Sequence, residues 1–247
     1  MPHPQSLSIS SSSTMSTSTP LPASTTPPAR SRPRRDRSLA AMIWYRWIQA
    51  VVSLLWMVGA GVRASGRKEF PRTGPVLLIS NHLSHLDVFM LGLLLPRPLN
   101  YVARSTLFVG PLAWLIRSVG GFPIQRDGMG AEGIKETLRR LRNGGIVTLF
   151  PEGTRSPNGE LGPIKPGIVA LATRIQAPIV AVGLAGTYEA WPRHRSWLRL
   201  HPVHIHYNPP IAPEELKKLT PEQILERLRA ELLDAHARAR AALSNLR

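Results

Sequence analysis

The chain has 247 residues, with 31 Lys and Arg against 15 Asp and Glu and no cysteine. This length suggests one globular domain with attachments, and a hydrophobic fraction of 43% excludes a wholly disordered or collagen-like chain. The absence of cysteine excludes a disulfide scaffold, a cysteine-ligated metal site and a thiol nucleophile. The net charge of +16 predicts an anionic partner, for which nucleic acid, an anionic lipid surface and a phosphorylated substrate all qualify.

The first 38 residues are dominated by Ser, Thr and Pro and offer almost no apolar side chains to offset the entropy cost of ordering. We therefore expect residues 1–38 to form a disordered tail. The tail ends in a basic cluster made of Arg30, Arg32, Arg34, Arg35 and Arg37. A Ser- and Arg-rich segment is also typical of a transit peptide, and a protein that starts at Met15 or Met42 would show the same pattern. The sequence leaves these alternatives open.

Residues 39–66 contain an apolar run, from 47 to 62, that follows Arg46 and ends before Arg63. As a helix this run would be about 24 Å long, less than the roughly 30 Å of a hydrocarbon core. Basic residues flank it on both sides, so the positive-inside rule assigns no orientation to a single span. We expect a membrane-associated helix that is interfacial or re-entrant, with both flanks at the cytoplasmic face of the cell membrane. A true span and a buried helix of a soluble domain are the alternatives.

Residues 67–247 alternate short apolar runs with helical patterns. The runs predict strands at 76–80, 146–150, 179–184 and 203–207, with weaker candidates at 100–103 and 122–125. Helices are predicted at 88–95, 107–118, 131–142 and 166–176, and a final helix begins after the capping residue Thr220. The fold class is therefore α/β, a single domain with a central, largely parallel sheet flanked by helices.

A polar cluster follows the predicted strand 76–80, and it comprises Asn81, His82, Ser84, His85 and Asp87. Open α/β sheets place their ligands at this carboxyl end of the strands. A carboxylate five residues after a histidine can accept the imidazole Nδ1–H, which leaves Nε2 as a base. Alternatively, the histidine caps the next helix and Asp87 lies in its first turn.

Two further segments carry groups that suit phosphate. In FPEGTRS, directly after the strand 146–150, Gly153 permits close backbone approach, Thr154 offers a hydroxyl and Arg155 a planar fork. In GGFPIQRD, Arg126 lies just after another predicted strand. Each segment taken alone is also compatible with an ordinary surface turn.

Together, in this order and spacing, the three segments resemble the glycerolipid acyltransferase family of 1-acylglycerol-3-phosphate acyltransferases. NHLSHLD fits the family's Asn-His-x4-Asp pattern, FPEGTRS carries its Glu-Gly-Thr-Arg pattern, and the resemblance covers about residues 74 to 190. It implies a membrane-associated enzyme that transfers a fatty acyl chain from acyl-coenzyme A or acyl carrier protein to the free hydroxyl of a lysophospholipid. With 1-acylglycerol-3-phosphate as the acceptor, the product is phosphatidate.

The resemblance also implies roles for particular residues. His82 is the implied general base and Asp87 its orienting partner. Arg104 stands where a lysine commonly opens the second motif, and Arg126 matches the arginine that closes it. The acceptor-binding motif falls on Glu152, Gly153, Thr154 and Arg155. No cofactor or metal is expected, because a thioester is already activated and a base near neutral pKa suffices.

Departures from the family pattern bear on the acceptor more than on the reaction. Ala181 stands where a proline is usual, and Ile164 where an aromatic residue is common. Another lysolipid, such as lyso-ornithine lipid, is therefore the same-class alternative. A nucleic-acid-binding protein is disfavoured because the basic residues are scattered without interleaved aromatics. A non-enzymatic basic membrane-surface protein would not need His82, Asp87 and Glu152 beside Arg155.

Overall fold

A seven-stranded sheet forms the centre of the structure, a computed structural model that describes residues 38–124 and 130–245. The expected tail and Arg126 therefore lie outside the described residues, except for Ser38 at the tail's end. The strands are β1 Val62–Ser65, β2 Val76–Ser80, β3 Leu99–Arg104, β4 Gly121–Ile124, β5 Ile146–Leu149, β6 Ile179–Ala185 and β7 Val203–Tyr207.

Helices alternate with these strands and cover both faces of the sheet. They are α1 Leu39–Gly59, α2 Asp87–Leu93, α3 Gly110–Ser118, α4 Ala131–Arg142, α5 Gly167–Ala172, α6 Thr187–Ala190, α7 Pro213–Leu216 and α8 Pro221–Ser244. As predicted, α8 begins with a capping box, in which the Thr220 hydroxyl accepts from the Gln223 N–H and the Gln223 side chain accepts from the Thr220 N–H.

The strand order is β1-β7-β6-β2-β5-β3-β4. Strands β6, β2, β5, β3 and β4 are mutually parallel, whereas β7 is antiparallel to β6 and pairs in parallel with β1. The prediction of an α/β domain with a largely parallel sheet is confirmed. Because β2, β3 and β5 run in the same direction, the segments that follow them meet at one edge of the sheet.

Two apolar cores lie on opposite faces of the sheet. On one face, Leu77, Val147 and Ile179 pack with residues of α5 and α8 such as Leu171 and Leu228. On the other face, Leu78, Val180 and Ile205 pack with Trp56 of α1 and Met90 of α2. Alternate residues of β2 therefore belong to different cores, as expected for a strand buried on both sides. Helices α1 and α8 consequently cover opposite faces.

Gly183 sets the close approach of α8 to the sheet. A Cβ built at this position of β6 would overlap the main chain of Ala235 in the middle of α8. Only a glycine permits that packing distance. The β-branched and apolar neighbours in β6 remain buried, so the long terminal helix rests directly on the strand beside β2.

The N-terminal helix starts where the predicted segment 39–66 starts and ends before it. Helix α1 begins at Leu39 and has 21 residues, so its length is about 30 Å and matches a hydrocarbon core. It continues through Arg46 because that guanidinium donates to the Gln49 side chain and to the Pro96 carbonyl. The helix ends at Gly59, and the predicted helical boundary at 66 is wrong because Val62–Ser65 pairs with β7.

One helix among the described residues is long and apolar enough to cross a membrane, judged by length and composition. This stretch is Leu39–Trp56, and only 11% of it is buried within the protein. Its exposure does not fit the alternative of a buried soluble helix, because most of its apolar side chains face outward. The most exposed apolar side chains of α1 include Ile43, Trp47, Leu54, Leu55 and Val58.

Candidate active site

The polar segments singled out in the sequence meet at the carboxyl edge of the sheet. The segment after β2 carries His82 and Asp87, the segment after β5 carries Glu152 and Arg155, and Arg104 ends β3. Main-chain contact joins the first two, since the Ser156 N–H donates to the His82 carbonyl over 2.7 Å. The sheet topology therefore assembles residues separated by up to about 70 positions.

A histidine–aspartate dyad occupies the first segment. His82 Nδ1 lies 2.8 Å from Asp87 Oδ2, and Asp87 is fully buried at the start of α2. The same Oδ2 accepts the main-chain N–H groups of Leu83 and Ser84, at 2.6 and 2.8 Å. A carboxylate held by two N–H groups is fixed in position, so it holds the imidazole with its proton on Nδ1 and leaves Nε2 for a substrate.

Two neighbours fix the histidine from other sides. The Asn81 side chain exchanges two hydrogen bonds with the main chain of Leu184, which ties the segment to β6. The Phe150 ring stacks on the His82 ring, with centroids 4.0 Å apart and 17° between planes. These contacts restrict the rotation of the imidazole, as a positioned base requires.

Glu152 joins the two segments. One carboxylate oxygen accepts the His82 main-chain N–H at 2.8 Å, and the other accepts the Gly162 N–H at 2.8 Å. The residue is buried, and burial raises the pKa of its carboxyl despite these two hydrogen bonds. Both oxygens are thus engaged by the protein itself. Glu152 therefore links the segment after β2 to the turn after β5, and its contact with the acceptor stays a prediction of the resemblance.

Arg155 contacts His85 at the solvent-exposed entrance of the site, which we call the site mouth. A guanidinium nitrogen of Arg155 contacts His85 Nε2, and the His85 ring packs near Trp191 with centroids 4.9 Å apart. Burial, and next the charge of Arg155, lower the pKa of His85. The neutral imidazole therefore accepts from Arg155 and orients its planar fork.

Further cations surround the Gly153 turn. Arg104 Nη2 donates to the Gly153 carbonyl over 3.0 Å, and Lys165 lies close beside the glycine. Gly153 has φ +67°, and a Cβ there would come within 2.8 Å of Lys165 Nζ, so the turn requires glycine. Arg193 is near enough to Arg155 to act with burial in lowering its pKa. These side chains concentrate positive charge beside the dyad.

The remaining predicted residues fall outside this cluster or outside the described chain. The Thr154 side chain is exposed, and Arg126 lies among residues that the structure does not describe. Two serine hydroxyls near the dyad are engaged by other groups, since Ser84 Oγ donates to the Trp191 carbonyl and Ser156 Oγ to Asn158 Oδ1. Within residues 38–124 and 130–245, no group of three or more His, Asp or Glu is arranged to hold a metal ion.

Four further residues lie at the site without having been predicted from the sequence, namely Phe150, Lys165, Trp191 and Arg193. Phe150 opens the FPEGTRS segment, so its proximity to the dyad had a visible signal. Trp191 and Arg193 follow β6 after α6, and only the pairing of β6 with β2 brings them to this edge.

Comparison with known proteins identifies the family of the chain. A family model described as Acyltransferase matches residues 61–185, which include the dyad and the Glu152–Arg155 turn. That match covers half of the chain, and the chain belongs to the acyltransferase family.

Individual relatives of the chain are named 1-acyl-sn-glycerol-3-phosphate acyltransferases. The chain is 30% identical over 185 residues to a 1-acyl-sn-glycerol-3-phosphate acyltransferase of Cocos nucifera, covering 73% of this chain and 59% of that protein. It is 28% identical over 144 residues to one of Bacillus subtilis, covering 58% of this chain and 71% of that protein. The chain thus spans about three fifths of the length of plant relatives such as those of Cocos nucifera and Limnanthes douglasii.

A solved structure shows the same fold. The crystal structure of the 1-acyl-sn-glycerophosphate acyltransferase PlsC from Thermotoga maritima superposes with a TM-score of 0.71 and 22% sequence identity. The match covers 84% of each chain.

Proposed function

We propose that the protein is a 1-acylglycerol-3-phosphate O-acyltransferase, which moves a fatty acyl chain from a thioester to the free hydroxyl of 1-acylglycerol-3-phosphate and forms phosphatidate. The observation that carries the proposal is the 2.8 Å contact between His82 Nδ1 and the buried Asp87, placed beside a cluster of cations. Family membership and the named relatives support it.

The dyad supplies the chemistry of a direct transfer. His82 Nε2 takes the proton of the acceptor hydroxyl as its oxygen attacks the thioester carbonyl, and Asp87 stabilises the imidazolium. The new C–O bond forms, the C–S bond breaks, and the departing thiolate takes the proton from His82. No acyl-enzyme is needed, which accords with the engagement of Ser84 and Ser156 by other groups.

The cations beside the dyad provide the acceptor site. A phosphate monoester is dianionic and presents several oxygens, which suit the bidentate fork of Arg155. Arg104 and Lys165 flank the same Gly153 turn, and Arg126 is proposed to join them on the strength of its place in the family's second motif. In this assignment Thr154 borders the headgroup, while Glu152 holds the turn.

The acyl donor is proposed to be acyl-coenzyme A or acyl carrier protein, with no cofactor or metal. An apolar crevice lies between α1 and α2, where Tyr45, Ile48 and Val52 face Val88 and Phe89.

We further propose that α1 holds the enzyme at the cytoplasmic face of the cell membrane. Its exposed apolar side chains and its length support insertion into lipid, where the proposed lysophospholipid acceptor resides. Tyr45, however, is buried against the domain, so one face of α1 stays with the protein.

The test is an acyl-transfer assay of the purified full chain with lysophosphatidate, lysophosphatidylcholine and lyso-ornithine lipid, each with both donor types. We expect lysophosphatidate to be preferred and the His82→Ala variant to be inactive. A preference for an acceptor without a phosphate monoester would transfer the assignment to the same-class alternative. Absence of transfer with every pair would refute the proposed function.

A further inference from the structure

The segment between α6 and β7 exposes several apolar side chains to solvent. We call residues 193–200 the Trp197 loop. Within it, Trp197, Leu198 and Leu200 are 65%, 43% and 57% exposed. A single exposed apolar side chain needs no explanation, but three within four residues form a patch that water solvates poorly.

Cations are interleaved with these apolar residues. Arg193 and Arg195 precede the apolar side chains, Arg199 lies between Leu198 and Leu200, and the sequence from 190 to 213 contains no Asp or Glu. Tryptophan favours the headgroup depth of a bilayer, and arginine favours an anionic lipid surface. The loop therefore has the chemistry of a segment that contacts an anionic bilayer.

Hydrogen bonds fix the conformation of the Trp197 loop. The Arg195 N–H donates to the Pro192 carbonyl, the Arg199 N–H donates to the Ala190 carbonyl, and Arg195 also caps the Glu189 carbonyl. The Trp191 indole N–H donates to the Arg195 carbonyl at 3.0 Å. These bonds hold the apolar side chains outward without support from a hydrophobic core.

The Trp197 loop continues the apolar surface of α1. The Leu200 side chain lies against Gly59, the last residue of α1, where an added Cβ would collide with it. Trp56, one turn earlier, donates its indole N–H to the His201 carbonyl at 3.2 Å. The exposed face of α1 and the loop therefore form one adjoining surface, and a bilayer that receives α1 also meets the loop.

The loop is also tied to the catalytic segment. Ser84 Oγ donates to the Trp191 carbonyl at 2.7 Å, and the Trp191 ring packs near His85. Arg193 at the start of the loop lies near Arg155. Because these contacts join the loop to His85 and Arg155, the position of the loop in the lipid sets how far the entrance of the site lies from the bilayer.

We propose that the Trp197 loop is a second membrane contact, which inserts Trp197 and Leu198 into the headgroup region of an anionic bilayer and sets the site mouth at its surface. The inference rests on the proposed membrane attachment through α1 and on the proposed use of a lipid acceptor. It assigns to this loop an interaction that α1 alone does not provide, namely the orientation of the catalytic domain.

A site-specific probe tests the insertion directly. Because the chain lacks cysteine, Trp197→Cys in the full-length protein accepts a single environment-sensitive fluorophore. The matched control is Glu226→Cys, exposed on α8 at the opposite face of the sheet. With vesicles of mixed phosphatidylcholine and phosphatidylglycerol, we expect a several-fold rise in emission and quenching by lipid-attached quenchers at position 197 only. A water-like signal at 197, in protein that sediments with the vesicles, would overturn the inference and leave the proposed membrane attachment intact.

Activity provides the second measurement. Leu198→Glu is compared with Leu233→Glu, since Leu233 on α8 is 46% exposed and so matches Leu198. We expect Leu198→Glu to lower transfer to acceptor embedded in vesicles by about tenfold, to leave transfer to a monomeric short-chain acceptor unchanged, and Leu233→Glu to have neither effect. Equal activity of Leu198→Glu and wild type on vesicles would contradict the inference. Lack of transfer by the wild type to either form of acceptor would instead refute the proposed function, while the fluorophore still reports on the loop.

Discussion

Glu152 and His82 are joined by a hydrogen bond that runs from the His82 main-chain N–H to a Glu152 carboxylate oxygen over 2.8 Å. The two residues are 70 positions apart and follow different strands, β5 and β2. The bond makes the segment that carries the base and the turn that carries Arg155 one unit. The bond therefore restrains the distance between the His82 imidazole and the Arg155 guanidinium.

The first prediction concerns the dyad. His82→Ala removes the group that takes the hydroxyl proton, and we expect kcat to fall by about 10²- to 10⁴-fold. Asp87→Asn retains an oxygen that can accept from Leu83, Ser84 and His82 but loses the negative charge, so we expect a smaller loss, about ten- to a hundredfold. Steady-state kinetics with circular dichroism as a folding control provides the measurement. Wild-type turnover in folded His82→Ala protein would contradict the assignment.

Arg155 is predicted to act on the acceptor and not on the donor. Arg155→Ala removes a charge-assisted, bidentate contact worth about 1.5–3 kcal/mol, so the acceptor kcat/KM should fall about ten- to a hundredfold. Arg155→Lys should restore only part of it, because lysine provides charge without the planar fork. Varying each substrate in turn separates the two effects. A change confined to the donor KM would assign Arg155 to the donor site. Equal losses with lysophosphatidate and lysophosphatidylcholine would assign it a structural role.

Glu152 is predicted to matter for stability as well as activity. Glu152→Ala leaves the N–H groups of His82 and Gly162 without their acceptor, which should lower the free energy of unfolding by about 1–3 kcal/mol. Glu152→Gln keeps one acceptor and removes the buried charge whose desolvation raises the pKa, so its loss should be smaller. Urea unfolding of both variants checks the order. If the Glu152→Ala variant were as stable as the wild type, the stability of the turn would not depend on this carboxylate.

The fourth prediction concerns the titration of His85. Burial and the positive charge of Arg155 both disfavour the imidazolium, so the pKa of His85 should lie below 6.5. Arg155→Ala removes one of these causes and should move the pKa of His85 upward. Histidine NMR titration gives the midpoint, and the signal absent from His85→Gln protein identifies the residue. A midpoint that does not respond to Arg155→Ala would show that the two side chains are apart in solution.

Much of the fold was predictable because apolar runs in parallel strands leave a strong signal. Strands β2, β5, β6 and β7 lie where the sequence predicts them, within one residue at each end. Strand β1 was missed because its sequence, Val-Arg-Ala-Ser, is short and half polar, and only pairing with β7 makes it a strand. Helix α1 starts at the first residue of the predicted segment 39–66, and tertiary hydrogen bonds accommodate the charge of Arg46 within it.

The site was predictable to the level of its motifs but not of its contacts. The spacing of His82 and Asp87 across a helix start indicated their hydrogen bond, since both residues are local. The position of Glu152 depends on main-chain groups in two other segments, and the contact of Arg155 with His85 depends on the β2–β5 pairing. Hydrogen bonds from distant main-chain groups leave no periodicity in a sequence, which is why the sequence did not predict these contacts.

The pairing of β1 with β7 bears on the order in which the chain folds during synthesis. Val62 lies opposite Val203, so about 140 residues must be translated after β1 before its partner strand exists. Helix α1 leaves the ribosome before all of those residues, with an apolar face that only lipid or a chaperone can cover in the meantime. We therefore expect nascent chains stalled before β7 to be captured by lipid through α1 while the sheet is still open at that edge, so that membrane capture precedes completion of the catalytic domain.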